Sequence, residues 1–404
     1  MTHLKTPRGP ITNFIPHLIK LRRDLHATPE FSGNERQTAR MIKRFFHQFR
    51  ADEVISPLGG NGIAFLFDSG RPGPGVMFRC ELDAIPIREE NDFAYRSIIP
   101  GVSHKCGHDG HMAIMAGFGH LISLDRPRQG RIILLFQPAE ETGQGAAAVV
   151  ADPKFKNFSA DFVFALHNLP GYPLGAVLLK PGTINCASRG MIVRLTGIAS
   201  HAAWPEDGLS PALPMCELIE ALAKLPSSAA FRPFYSNLTV VHARLGDPAF
   251  GLSPGYAEVM ATLRSETNEG LSILVEQAAG LVKDKAAGAN LGYEISWAEA
   301  FVASSNDPVA CEIVKKAGIA AGAEVLYLEA ALPVSEDFGQ FSARIPGAMF
   351  GLGAGEKSPQ LHQADYDFPE KLIEIGSTLF MEIARLLVYE PGMDKGFIKK
   401  ESLK

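Results

Sequence analysis

Eight consecutive residues, His104-Lys-Cys106-Gly-His108-Asp109-Gly-His111, bring together three imidazoles, a thiol and a carboxylate. A folded core has no use for that much ligand chemistry, and the density points to a metal site. Cys106 and His108 lie two apart, so in an extended segment both side chains project to the same side. Both then reach one cation at ligand distances of roughly 2.0–2.3 Å. A polar surface loop that happens to hold histidines is the plainer alternative.

Other segments weigh against that alternative. Arg131-Ile-Ile-Leu-Leu-Phe-Gln-Pro-Ala-Glu140-Glu141-Thr-Gly opens as a continuous apolar run and ends in adjacent carboxylates followed by glycine. The run suits a strand buried on both faces, and two like charges buried side by side are costly without a cation. Asp161-Phe-Val-Phe-Ala-Leu-His167-Asn168 repeats the design with a histidine at the end. Pro346-Gly-Ala-Met-Phe-Gly-Leu-Gly precedes Leu361-His362. Taken singly, His167 or His362 reads as a satisfied structural histidine; together with the Cys/His cluster they read as ligands. In open α/β sheets, ligands gather outside the carboxyl ends of strands, which is where these residues are expected.

With 404 residues, the chain exceeds a typical single domain, so two domains are expected. A net charge of −5, a pI near 6.2 and dispersed Lys/Arg argue against a nucleic-acid footprint and for small-molecule partners. No stretch is apolar and long enough to span a bilayer, and Met1-Thr-His-Leu-Lys-Thr-Pro lacks the apolar core of a secretory signal. No membrane association and a cytoplasmic location are the corresponding expectations. The five cysteines are odd in number and scattered, which disfavours a disulfide framework. Those other than Cys106 are expected to be buried small apolar residues.

Helical periodicity over Phe14–His26 and Asn34–Phe49 leads into short apolar runs at Gly62–Phe67, Gly75–Leu82, Arg131–Phe136, Phe162–Leu166 and Ala176–Leu179, with a helix at His111–Leu124. This is a mixed α/β pattern. From about Cys186 to Phe301 the order changes to strand (Gly190–Leu195), helix (Ala212–Lys224), strand (Leu238–Ala243), strand (Ala257–Leu263), helix (Gly270–Lys283), strand (Tyr293–Trp297). That β-α-β-β-α-β order predicts a ferredoxin-like antiparallel sheet with both helices on one face. Since it holds neither the Cys/His cluster nor the paired glutamates, residues 186–301 read as a domain inserted into a catalytic domain made of 1–185 and 302–404. Helices near Pro308–Ala317 and Glu370–Leu387 follow, and the charged tail Asp394–Lys404 is expected to be mobile.

Leu21-Arg-Arg-Asp-Leu-His-Ala-Thr-Pro-Glu, Arg79-Cys-Glu-Leu-Asp-Ala-Ile-Pro-Ile, the Cys-Gly-His-Asp-Gly-His motif, Phe136-Gln-Pro-Ala-Glu-Glu, Ser200-His-Ala-Ala-Trp-Pro and Ser335-Glu-Asp-Phe closely resemble the dinuclear-metal aminoacylase and carboxypeptidase family. The branch they are most similar to contains hippurate hydrolases, auxin-conjugate amidohydrolases and N-acyl amino acid amidohydrolases. The resemblance runs from about residue 15 to 390. It implies an α/β catalytic domain holding two divalent metals, and an inserted lid that forms a homodimer contact. It further implies that Cys106, His108, Glu141, His167 and His362 are metal ligands and that Glu140 is the general base. Asp83 matches an aspartate that orients the base or a ligand. His201 matches a histidine that reaches the substrate carbonyl, often from the other subunit, and Arg264 matches an arginine that pairs with a substrate carboxylate. One departure stands in Phe250-Gly251-Leu252-Ser253-Pro254, where relatives usually carry asparagine: Gly251 has no side chain to offer a substrate.

The chemistry agrees with that assignment. A divalent metal lowers the pKa of bound water and polarises an amide carbonyl, and Glu140 can move the proton from water to the leaving nitrogen. Adjacent strand residues point to opposite faces, so Glu140 and Glu141 serve one site only if the chain leaves strand geometry, and Thr142-Gly143 is the expected break. The leading reading is thus a metal-dependent hydrolase of N-acyl amino acids or similar small amides. Competing readings are a dipeptidase or carboxypeptidase, an N-acetyl-diaminopimelate deacetylase, a cysteine hydrolase with Cys106 as nucleophile, and a metal-bearing binding module without catalysis. A mixed Cys/His/Glu donor set tolerates Zn, Mn, Co or Ni.

Overall fold

The computed structural model describes residues 9–228, 231 and 234–390, so the charged tail Asp394–Lys404 lies outside the described residues. The chain divides into two compact units, one drawn from 1–184, 304–330 and 337–404 and the other from 185–303 and 331–336.

The continuous apolar runs of the first unit pair into an eight-stranded mixed sheet. Its spatial order is Glu53–Leu58, Gly62–Asp68, Arg131–Gln137, Gly75–Glu81, Phe162–Leu169, Gly347–Gly353, Val177–Leu179 and Val325–Tyr327. The four central strands, from Arg131–Gln137 to Gly347–Gly353, are parallel. They are buried over nearly their whole length because parallel strands are covered on both faces, which is why their sequences show no polar alternation. The helix His108–Leu124 is apolar almost all round and packs Phe118 edge-on against Phe78 of the sheet, with ring centroids 4.7 Å apart. Phe380 of the helix Lys371–Ala384 meets the same ring at 5.0 Å. The strand Glu53–Leu58 has no counterpart in the sequence pattern. It is an edge strand, largely exposed and interrupted by Pro57, so it shows neither a continuous apolar run nor clean alternation.

The second unit is a four-stranded antiparallel sheet in the order Ser236–Leu245, Tyr256–Ser265, Ala187–Thr196, Gly292–Phe301. Strand Tyr256–Ser265 alternates buried and partly exposed residues along its length. Its buried Val259, Ala261 and Leu263 pack in one cluster with Leu218 and Leu222 of helix Ala212–Lys224 and with Leu274, Ala278 and Val282 of helix Asn268–Gly288. The spacing of four in the helices and two in the strand is the requirement for one shared apolar layer. Thr267 caps the longer helix by accepting the Gly270 N–H at 3.0 Å. The fold is therefore an α/β domain carrying an inserted βαββαβ unit. None of the five cysteines is disulfide-bonded. Cys80, Cys186 and Cys311 are buried, but Cys216 is exposed on helix Ala212–Lys224, opposite the expectation for it. Among the described residues, no helix is long and apolar enough to cross a membrane.

Candidate metal centre

The predicted donors of the first unit meet at the carboxyl ends of its parallel strands. Cys106 Sγ lies 3.4 Å from His167 Nε2. His108 Nε2 lies 3.7 Å from Glu141 Oε1 and 3.9 Å from Glu140 Oε2. Glu141 Oε2 in turn lies 3.9 Å from His362 Nε2. Cys106, His108 and His167 form one donor group, Cys106, Glu141 and His362 a second, and His108, Glu140 and Glu141 a third, each with its ligand atoms within 4.8 Å of one another. His167 and Glu141 are partly buried and His362 is exposed, while Cys106, His108 and Glu140 are buried.

Local backbone explains how these side chains converge, and it differs from the extended segment expected around Cys106. Gly107 adopts φ 92°, in the left-handed region open to glycine, and His108 is already the first residue of the helix that periodicity placed at His111. Cys106 and His108 therefore reach the same space through a turn rather than by strand alternation. The break near the glutamates also comes earlier than Thr142-Gly143. The strand ends at Gln137, and Ala139 takes φ 50°. Its N–H donates to Glu35 Oε1 at 2.8 Å and its carbonyl accepts the Gly145 N–H at 3.0 Å. A Gly143 N–H bond to the Glu140 carbonyl, at 2.8 Å, closes the turn that aims both glutamates into one site. His362 is likewise left-handed at φ 66°, fixed by its N–H bond to the Lys105 carbonyl at 2.9 Å. Such non-glycine conformations cost of order 1–3 kcal/mol and persist where the surroundings over-determine them.

The imidazole tautomers follow from their partners. His108 Nδ1 donates to the Asp83 carbonyl at 2.9 Å, and His167 Nδ1 to the Asn168 carbonyl at 2.9 Å. A carbonyl only accepts, so each Nδ1 carries a proton and Nε2 is the ring atom turned toward the cluster. Asp83 is wholly buried and acts on the donors through hydrogen bonds: its Oδ2 accepts the Glu141 N–H at 3.0 Å and the Ser32 hydroxyl at 2.7 Å. Burial pushes the Asp83 carboxyl up, but bonds from His108, Ser32 and Glu141 outweigh it and hold the group below its usual value.

Electrostatically the site is short of positive charge. Burial, with the Glu141 and Glu140 charges behind it, pushes the Cys106 thiol well above its ordinary value. Burial draws His108 down, yet its bond to Asp83 and the nearby Glu81 and Glu141 charges prevail and lift it to about 10. His167 is drawn down to about 3, chiefly by burial. Moving a proton from Cys106 to His167 is thus uphill at both ends, which disfavours the thiolate–imidazolium pair of a cysteine hydrolase. His108 Nε2 is buried without a hydrogen-bond partner among the described residues. A thiol, three imidazoles and two carboxylates facing one another, with the Nε2 atoms of the rings turned inward, are the donor chemistry of a divalent metal. The residues present fit it.

Beneath this cluster lies a buried polar network that the motif did not resolve. His111 reads as a third motif imidazole, but its Nδ1 lies 2.7 Å from Glu81 Oε2 and its Nε2 2.5 Å from Asn168 Oδ1. Asp109 Oδ2 takes Arg22 Nε at 2.7 Å and His26 Nδ1 at 2.8 Å. Glu89 then joins His26 Nε2 at 2.9 Å to Lys105 Nζ at 2.5 Å. The signal for Arg22 and His26 stood in Leu21-Arg-Arg-Asp-Leu-His: two polar residues four apart on a helix share its inward face. In sequence they are indistinguishable from solvated charges.

The lid residues lie in the second unit. His201 is exposed, accepts the Ala203 N–H on Nδ1 at 3.1 Å and packs on Trp204. Arg264 is half-buried and donates to Ser335 Oγ, so it is not the fully solvated charge that its place at a strand end allowed. Gly251 is exposed, with nothing within 4 Å of where a side chain would begin.

Residues 77–386 match the profile of Peptidase family M20/M25/M40. The chain belongs to that family. The match covers most of both units, and the enzyme class that goes with it is metal-dependent amidohydrolase. Over 376 residues the chain is 26% identical to N-acetylcysteine deacetylase of Bacillus subtilis, covering 93% of this chain and 98% of that one. It is 27% identical over 384 residues to hippurate hydrolase of Campylobacter jejuni, covering 92% and 98%. Among solved structures, a dinuclear metal-binding peptidase of the M20 family from Bacillus subtilis superposes with a TM-score of 0.78 at 24% identity, covering 94% of this chain and 99% of that one.

Proposed function

We propose that this M20 hydrolase cleaves the amide bond of N-acyl amino acids, with two divalent cations held by Cys106, His108, Glu141, His167 and His362, and with Glu140 as general base. The observation that carries the reading is the pairing of adjacent glutamates at one donor set. Glu140 and Glu141 both face His108 Nε2, although strand geometry would have sent them to opposite faces. One carboxylate suffices as a ligand there, and the other is placed to move a proton. The relatives named N-acetylcysteine deacetylase and hippurate hydrolase act, by those names, on an amide that joins an acyl group to an amino acid.

A bound divalent cation would lower the pKa of water and polarise the substrate carbonyl. Glu140 then accepts the water proton on its carboxylate and returns it to the leaving nitrogen. Asp83 keeps His108 and Glu141 in register by holding the His108 ring and the Glu141 N–H. Arg264 pairs with the substrate α-carboxylate, and His201 donates to the carbonyl oxygen as negative charge develops on it.

Replacing Glu140 with Gln keeps the shape and removes proton transfer, so the rate should fall by about two to four orders of magnitude with metal content unchanged. Loss of metal together with activity would exchange the roles of the two glutamates. A panel of N-acetyl, N-benzoyl and dipeptide substrates, assayed with Zn, Mn, Co and Ni, separates this reading from a dipeptidase or an N-acetyl-diaminopimelate deacetylase.

We further propose a cytoplasmic homodimer formed through the inserted unit, with His201 serving the neighbouring subunit. Its support is the exposed apolar surface around His201: Trp204, Phe250 and Leu252 are all more than half exposed. Mixing inactive Glu140→Gln subunits with inactive His201→Ala subunits should restore activity, because each heterodimer then contains one intact site. A monomer with full activity would refute the crossing.

A further inference from the structure

Arg194 and Arg264 lie on adjacent strands of the same sheet and have contrasting surroundings. Arg194 is flanked by carboxylates, with Glu258 at 3.0 Å and Glu294 at 3.6 Å. Arg264 stands directly opposite Ser188 in the antiparallel register and, among the described residues, has no carboxylate within ion-pair distance. Its Nη1 donates to Ser335 Oγ, and the Ser335 hydroxyl donates in turn to Ser188 Oγ at 2.7 Å. No protein acceptor for its Nε or Nη2 groups occurs among the described residues.

Partial burial of a cation without a counter-charge is costly, and here it also draws the Arg264 pKa down. A carboxylate in the place of Ser335 would relieve that cost, but it would also compete with any anionic ligand. A neutral hydroxyl fixes the side chain and leaves its charge unspent. Ser335 reaches this place on the return segment 331–336, which is anchored to the second unit by the Cys186 N–H bond to the Val334 carbonyl at 2.9 Å.

We infer that Ser335 and Ser188 are positioning residues for recognition of the substrate carboxylate: they brace the Arg264 guanidinium so that its unoccupied N–H groups present a ready planar fork. The inference rests on the proposed role of Arg264 as the carboxylate partner. A braced arginine has lost its rotamer freedom before the ligand arrives, and the ligand then gains the full bidentate contact. The same brace explains how recognition of the acidic end can survive at Gly251, which offers no side chain: the fork needs no help from that loop.

The test compares an N-acetyl amino acid with its neutral methylamide, using the metal-loaded full chain and the variants Ser335→Ala, Ser335→Thr and Arg264→Met. Ser335→Ala should raise KM for the acidic substrate by about tenfold, the effect of one lost hydrogen bond to a charged group, with a much smaller change in kcat. Its effect on the methylamide should be less than twofold, and Ser335→Thr should restore the acidic KM. Arg264→Met should abolish the preference for the acidic substrate. If Arg264→Met leaves that preference intact, the carboxylate reading of Arg264 fails and takes the brace with it. If Arg264→Met removes the preference while Ser335→Ala leaves it unchanged, or impairs both substrates equally, the brace alone is overturned.

Discussion

Lys105, Asp109 and His111 share one short segment with Cys106 and His108, yet the two groups have different surroundings. The first three are tied to protein partners: Lys105 to Glu89 and Asn91, Asp109 to Arg22 and His26, His111 to Glu81 and Asn168. Cys106 and His108 instead turn their donor atoms toward His167, Glu140 and Glu141. The difference separates the proposed ligands from residues that hold them still. Since buried polar groups are ordinarily satisfied by protein or water, the unpartnered Nε2 of His108 supports the ligand role proposed for it, and the doubly bonded ring of His111 supports a structural one.

That separation is open to attack, first where the effect should be greatest. Cys106→Ala and His108→Ala should each strip the protein of metal and reduce hydrolysis by at least about three orders of magnitude, as chelation should and as added divalent metal should reverse for the unaltered chain. Their unfolding midpoints, measured beside the chelated wild-type protein, should stay close to it. A variant that keeps its metal and its rate would remove that residue from the donor set.

Asp109→Ala probes the other side of the comparison. Arg22 and His26 are fully buried against Asp109; Arg22 still pairs with Asp367 and Glu370 once that carboxylate is removed, so the loss is that of buried hydrogen bonds to a charged group, at roughly 1–3 kcal/mol. Chemical denaturation in the presence of chelator should show that loss. Unchanged stability with lost metal would instead place Asp109 among the donors.

The smallest effect concerns pH. Burial pushes the Glu89 carboxyl up, but His26, Lys105 and the Ser97 N–H prevail and hold it at about 2 in the folded chain. Its unfolded value is near the ordinary 4.5. A depressed carboxylate contributes its stability above the unfolded value and loses it as pH falls through the folded one. The stability gap between wild type and Glu89→Gln should therefore be greatest above about pH 4.5 and shrink toward pH 2. A gap independent of pH over that window would show that the charge of Glu89 does not stabilise the network.

Much of this protein is legible in its sequence because its signals are local. The unbroken run Arg131–Gln137 announces a strand covered on both faces, and the alternation in Tyr256–Ser265 announces one covered on a single face. Helix Ala212–Lys224 has the limits its periodicity predicts. The candidate donors are legible too, since a Cys/His cluster and paired glutamates at strand ends are rare outside metal sites. The geometry that makes them one site is not, because it depends on bonds between distant segments. Ala139 sits at φ 50° with its N–H bonded to Glu35, over a hundred residues away. The same distance hides the supporting network: in sequence nothing separates Arg22, which is buried against Asp109, from its neighbour Arg23, which lies at the surface against Glu370. Residue types and periods determine which elements form and which chemistry is available. Burial and partner choice are properties of the packed chain, and only the tertiary structure decides which polar side chain binds, which one supports it, and which one merely faces water.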